Sequence, residues 1–127
     1  METALKQKVE IISEQDYILI VPPEGLDFWE IVSAVGRLFP MREFQLKNAI
    51  WLFREGPVDF LYDDLFKLNA FIKNHFPANA KGEKTAIVAG TYLQRKLALA
   101  FEKISRDLPC RLRVFRDIKA AEAWIRE

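Results

Sequence analysis

The chain has 127 residues, half of them apolar, with 19 Lys and Arg against 18 Asp and Glu. This length and composition predict one globular domain over 1–127 and exclude a disordered chain. A formal charge of +1 argues against a protein that binds nucleic acid through its charge. One Cys and one His exclude an internal disulfide and a histidine cluster, so we expect no metal site and no cofactor.

The chain begins with a stretch of mixed charge, not with the basic and then apolar segments of a signal peptide. The longest apolar runs, 17–23 and 49–53, have the length of strands and fall far short of the ~18 residues that span a bilayer. We therefore expect a cytoplasmic protein with no integral membrane segment.

The first elements are predicted to be two strands and a helix. Apolar residues around 9–12 indicate a half-buried strand, and the doubly apolar run 17–21 indicates an interior strand that pairs with it as a hairpin. Asp27 lies three residues before Glu30, a capping-box spacing, and Pro40 ends the helix. The helical stripe comprises Phe28, Ile31, Val32, Val35, Leu38 and Phe39.

A second doubly apolar strand is predicted at 49–53, followed by a helix for which Asp59 is the expected N-cap. The predicted inner stripe of this helix comprises Leu61, Leu65, Leu68, Ile72 and Phe76. A short strand at 85–89 leads to a third helix, with Thr91 and Gln94 as a capping box. Its predicted inner face comprises Leu93, Leu97, Ala100, Phe101, Ile104 and Leu108.

The last elements are an edge strand around 112–116 and a helix capped by Asp117, with Ile118, Ala121, Trp124 and Ile125 facing inward. The complete order is β-β-α-β-α-β-α-β-α. This alternation predicts an α/β fold with a mostly parallel five-stranded sheet.

The last third of the chain reads TAIVAG at 85–90, VFRD at 114–117 and AAEAWI at 120–125. This succession resembles the STAS-like bacterial proteins, relatives of the sporulation anti-sigma-factor antagonists. The resemblance implies a sequential (βα) superhelix that acts by binding rather than catalysis. Antagonists carry a regulatory Ser or Thr after the third strand, whereas this chain has neither anywhere from 34 to 84. The resemblance is therefore to an uncharacterised branch without that phospho-switch, whose fold is also compared with lipid-binding CRAL-TRIO domains.

In open α/β sheets, ligands meet the carboxyl ends of the strands. At this edge, Asp59 and Asp63 suit either acid–base or cation chemistry or the capping of a helix. Gly90 and Thr91 could hold an anion at a helix start, with Arg95 and Lys96 nearby, or those two cations are simply solvated. The candidate partner-binding or ligand-binding residues are Arg54, Glu55, Asp59, Tyr62, Asp63, Phe66, Gly90, Thr91, Tyr92, Arg95 and Lys96.

Tyr62 and Phe66 lie at i and i+4, so they form either an exposed aromatic pair for a partner or a contact with a neighbouring helix. We assign no catalytic residue: His75 stabilises a helix end, and Cys110 is a small buried filler. The predicted function is a regulatory or protein-binding module without catalysis. The alternative is a carrier or sensor of a small apolar or lipid-like ligand.

Crossover helices of one hand lie on one face of a sheet, which leaves the second apolar face of the central strands uncovered. Either the first helix or a second copy of the chain must cover it. We therefore predict a homodimer and choose Trp51 as the residue to probe. Another regulatory protein or an anionic ligand is a further possible partner.

Overall fold

The computed structural model describes residues 9–78, 80 and 84–127. It contains seven strands and five helices within those ranges. Their bounds are β1 Glu10–Ser13, β2 Tyr17–Val21, β3 Leu26–Asp27, α1 Phe28–Leu38, α2 Arg42–Leu46, β4 Asn48–Phe53, β5 Val58–Asp59, α3 Tyr62–His75, β6 Lys84–Ala89, α4 Tyr92–Ile104, β7 Arg111–Phe115 and α5 Ile118–Ile125.

Five strands form one sheet in the order β1-β2-β4-β6-β7. The pair β1 and β2 is antiparallel and every later pair is parallel, so the hairpin and the mostly parallel α/β sheet are both confirmed. The interior position of β2 and the edge position of β7 are confirmed as well.

One face of the sheet is covered by the helices that connect its parallel strands. Ile18, Ile20, Ala49, Trp51 and Ile87 point to this face and share a core with residues of α1, α3 and α4. A constant crossover hand places such helices on the same side of a sheet, as the strand order predicts. We call this the crossover face.

The opposite face is covered by α5, and we call it the terminal face. Ile50, Ala86 and Val88 of the sheet pack there against Ala121, Trp124 and Ile125, all of which are buried. The expectation that α1 or a second copy covers this face was wrong. Because α5 follows the last strand and connects to no further strand, the crossover rule does not constrain its side.

The predicted caps are confirmed at three helices. The Asp27 carboxylate accepts from the Glu30 backbone N–H at 3.0 Å, Thr91 Oγ1 accepts from Gln94 N at 3.2 Å, and the Asp117 carboxylate accepts from Ala120 N at 2.9 Å. These interactions span three residues of sequence and therefore need no tertiary contact to form.

The start of α3 departs from the prediction. Asp59 is not its N-cap but belongs to β5, paired in parallel with Asp27 of β3. The helix begins three residues later, where the Asp64 carboxylate accepts from the Leu61 backbone N–H at 2.8 Å. Leu61 is consequently 71% exposed and is not part of the inner stripe.

The predicted inner face of α4 is confirmed except at its first residue, because Leu97, Ala100, Phe101 and Ile104 all belong to the core. Leu93 is 50% exposed, while Gln94 is only 1% exposed. Gln94 lies seven residues, or about two helical turns, before the buried Phe101, so it shares the inward face. The short helix α2 and the two-residue strands β3 and β5 were not predicted.

Candidate functional site

The candidate site lies at the edge of the sheet where the parallel strands end and α1, α3 and α4 begin. All eleven candidate residues lie along this edge or in the first two turns of α3 and α4. Nine of them are exposed, and Thr91 and Arg95 are partly buried. The parallel topology therefore brings together segments that are far apart in sequence.

Two loops cross closely beneath this edge. Gly25, with φ of +92°, donates from its backbone N–H to the Arg54 carbonyl at 3.0 Å. A Cβ on Gly25 would lie 2.2 Å from the Pro57 carbonyl oxygen, so only glycine fits at this crossing. The same close approach allows β3 to pair with β5 and fixes the path from β4 to α3.

Large apolar residues stand exposed where the three helices begin. We define the carboxyl rim as the five residues that share this feature, which are 50–73% exposed: Trp29, Leu61, Tyr62, Tyr92 and Leu93. Phe66, one turn after Tyr62, is 51% exposed, and the two rings meet edge to face with centroids 5.7 Å apart. The prediction of an exposed Tyr62–Phe66 pair is confirmed.

Trp29 is joined to the core by aromatic contacts. Its ring meets Phe28 edge to face at 5.1 Å, and Phe28 in turn meets the buried Phe60 at 5.7 Å. The sequence stripe included Phe28 but gave no role to Trp29. The only sequence signal for Trp29 is that it lies outside the apolar stripe of α1.

At the predicted anion site at the start of α4, Arg95 bonds to backbone carbonyls of its own chain. Arg95 folds back and donates from Nη1 to the Gly90 carbonyl at 2.8 Å and to the Ala89 carbonyl at 3.4 Å. The guanidinium thus satisfies carbonyls at the end of β6, which accounts for a cation near this helix start without an anion. Lys96 is exposed beside it.

The three acidic residues near the start of α3 have different surroundings. Asp64 caps the helix, while Asp59 and Asp63 are exposed. Within the described ranges, no group of three or more His, Cys, Asp or Glu is placed to hold a metal ion.

An apolar cavity of about 90 Å³ lies on the crossover face, between the sheet and α1, α3 and α4. Seven aromatic side chains line it: Phe39, Phe44, Trp51, Phe53, Phe60, Phe76 and Phe101. Gln94, Thr85 and Cys110 contribute the polar and sulfur groups of the wall. The carrier alternative implies an aromatic-lined pocket, but the sequence does not locate it, because the same apolar stripes would be expected of a fully packed core.

His75 and Cys110 have surroundings that suit structural roles. His75 is the last residue of α3, and its Nδ1 lies 2.8 Å from the Phe71 carbonyl. Cys110 is partly buried, and burial raises the pKa of its thiol, although a hydrogen bond with Thr85 opposes this. A raised pKa disfavours the thiolate that a nucleophilic cysteine requires.

Comparisons with protein-family models, with curated proteins and with solved structures found no match to this chain. No helix in the described residues has the length and apolar character needed to span a membrane.

Proposed function

We propose that this chain is a non-catalytic protein-binding module whose interaction surface is the carboxyl rim and whose partner is a second copy of itself. The observation that carries the proposal is the grouping of five exposed large apolar residues at the starts of three helices. Apolar groups brought together at one edge are typical of protein interfaces rather than of scattered surface residues.

The charges beside the rim favour self-association over an arbitrary partner. The start of α3 is acidic, with Asp59 and Asp63 exposed, and the second turn of the neighbouring α4 is basic, with Lys96 exposed. In a two-fold interface every contact is made twice, so the acidic patch of each copy can lie against the basic patch of the other. A surface that carries an acidic patch beside a basic one is therefore complementary to a second copy of itself.

This placement changes the reason for the predicted homodimer. The terminal face is covered by α5, so a second copy is not needed to bury it. The rim supplies a different and exposed surface for the same assembly. A regulatory role in the cytoplasm and a relationship to STAS-like proteins remain predictions from the sequence; they agree with an α/β module that acts by binding.

A charge-exchange experiment tests the proposed dimer. Asp63→Lys and Lys96→Glu should each weaken self-association, because each variant places like charges opposite one another. An equimolar mixture of the two variants should restore the dimer through two opposite-charge pairs. Sedimentation velocity over a range of concentrations, at low and at high salt, measures both effects.

The apolar part of the rim has a matched control. Tyr62→Ser should weaken the dimer, whereas Leu46→Ser should not, because Leu46 is 56% exposed but lies just before β4 at the opposite edge. A wild-type chain that stays monomeric at all concentrations would refute the proposal, as would equal effects of the two serine variants.

The cavity favours a second function, the uptake of a small apolar molecule. Most residues of its wall are apolar. Apolar surface of a ligand that this wall removes from water would contribute about 25 cal/mol per Å² to binding.

Cys110, the one cysteine of the sequence, reports on the cavity because it belongs to the wall. Saturating toluene should slow the reaction of Cys110 with a thiol reagent. Ala98→Leu, which extends a wall residue into the cavity, should slow the reaction without toluene and remove the effect of adding it. An unchanged rate in both cases would exclude this second function.

A further inference from the structure

The side chain of Gln94 gives the apolar cavity a polar group of fixed orientation. Gln94 is 1% exposed and belongs to the cavity wall. Its Nε2 donates to the Arg54 carbonyl at 2.9 Å. Because a carbonyl oxygen can only accept, this bond fixes the orientation of the carboxamide and leaves Oε1 as its other end.

Oε1 of Gln94 is a buried acceptor without a donor. Three buried side-chain atoms in the described residues lack a hydrogen-bond partner: Asn69 Oδ1, Gln94 Oε1 and Ser105 Oγ. Of these three residues, Gln94 alone lines the cavity. Native structures satisfy the great majority of buried polar atoms, since an unmade hydrogen bond in the interior is costly.

The other polar groups of the wall already have partners. The side chains of Thr85 and Cys110 are hydrogen-bonded to each other. The Arg54 carbonyl accepts from both Gly25 N and Gln94 Nε2, so both of its lone pairs are engaged. Among the polar atoms of the wall, Gln94 Oε1 is therefore the buried acceptor that still lacks a partner.

We infer that the cavity takes a small, mainly apolar molecule with one hydrogen-bond donor, a hydroxyl or a ring N–H, which donates to Gln94 Oε1. This inference rests on the cavity-binding function proposed above. Burial of the apolar part supplies affinity, and the unpartnered acceptor supplies selectivity. A carboxylate would be rejected, because it would place a negative oxygen against Oε1 in an apolar wall.

Phenol and toluene test the inference because they have similar shapes and differ in having a hydroxyl or a methyl group. Calorimetric titration of the full chain gives the ratio of their affinities, which cancels most of the shared apolar contribution. In Gln94→Met, which keeps the chain length and removes Oε1, the phenol-to-toluene affinity ratio should fall about tenfold. Ser105→Ala, which removes a buried unpartnered hydroxyl outside the wall, should leave the ratio unchanged.

A second measurement needs no variant. Pyrrole and furan are five-membered rings of similar size, and only pyrrole has an N–H donor. In the wild-type chain, pyrrole should slow the modification of Cys110 at a concentration about tenfold below the furan concentration that has the same effect.

The outcomes separate the inference from the function on which it rests. Binding of phenol and toluene with a ratio that Gln94→Met does not change, or equal binding of pyrrole and furan, would overturn the inference and leave the cavity-binding function intact. Failure of all four molecules to bind the wild-type chain would overturn both.

Discussion

The two faces of the sheet are covered by helices that are held in different ways. On the crossover face, α1, α3 and α4 each connect two strands, and their contacts with the sheet are mainly apolar. On the terminal face, α5 packs through apolar residues and also makes polar contacts with β2 and β6.

Three polar contacts hold α5. Lys84, only 8% exposed, donates from Nζ to the Trp124 carbonyl at 2.8 Å and lies over the Trp124 ring at 5.3 Å. Tyr17 Oη donates to the Glu122 carboxylate at 2.6 Å, and Arg126 pairs with Asp16 at 2.7 Å. The Lys84 cation lies at the negative end of the helix, where the dipole favours it.

The faces also differ in packing. The cavity of about 90 Å³ lies on the crossover face, and none of the terminal-face residues Ile50, Ala86 and Ala121 lines it. A region with spare volume can accept a ligand or a larger side chain, and a region without it cannot. The difference predicts that a larger side chain is tolerated on the crossover face and not on the terminal face.

The largest expected effect is at Lys84. Lys84→Met removes the donor from the Trp124 carbonyl and should lower the free energy of unfolding by about 1.5–3 kcal/mol. Lys119→Met, at an exposed lysine of α5, should change it by less than about 0.5 kcal/mol. Urea unfolding measures both, and hydrogen exchange should show faster opening of α5 in Lys84→Met. Equal effects of the two variants would show that α5 does not depend on this contact.

The next prediction compares the packing of the two faces with the same substitution. Ala121→Leu inserts three carbon atoms into the closed terminal face and should cost about 1–3 kcal/mol of unfolding free energy. Ala98→Leu inserts them into the cavity wall and should be neutral or stabilising by up to about 1 kcal/mol. Thermal and urea unfolding of both variants measure the difference. A destabilisation of Ala98→Leu as large as that of Ala121→Leu would mean that the crossover face has no usable space.

The smallest expected effect is the pH dependence contributed by Tyr17. Burial, with a further contribution from the Glu122 hydrogen bond, raises the pKa of Tyr17 from 10.0 to about 12. The unfolded chain therefore loses this proton first, so the contribution of Tyr17 to stability is complete below pH 10 and is lost as the pH rises toward 12.

Tyr17→Phe should lose about 1 kcal/mol at neutral pH and should show a shallower decline of unfolding free energy between pH 10 and 12. Tyr92→Phe, at a tyrosine that is 73% exposed, is the control and should follow the wild-type decline. Urea unfolding as a function of pH gives both curves. A wild-type slope in Tyr17→Phe would show that Tyr17 titrates normally in the folded chain.

The candidate edge was predictable because it depends on element order, whereas its details were not. A parallel sheet places the segments after 53 and 89 side by side whatever their side chains are. The prediction that Asp59 caps α3 was wrong, because a carboxylate near the start of a helix looks the same in the sequence whether or not it is the cap. Gln94 was placed in a capping box because its spacing from Thr91 fits one, yet its side chain donates to Arg54.

The sequence by itself determined the local and periodic features of this protein. Its caps at Asp27, Thr91 and Asp117 and the doubly apolar strands at 17–21 and 49–53 depend only on nearby residues and on alternation. Only the tertiary structure decided the side on which α5 lies, the burial of Gln94 in place of Leu93 at the start of α4, and the cavity beside Gln94. These features depend on how side chains distant in sequence fill a shared volume, and the apolar pattern of each separate element is the same whether that volume is filled or not.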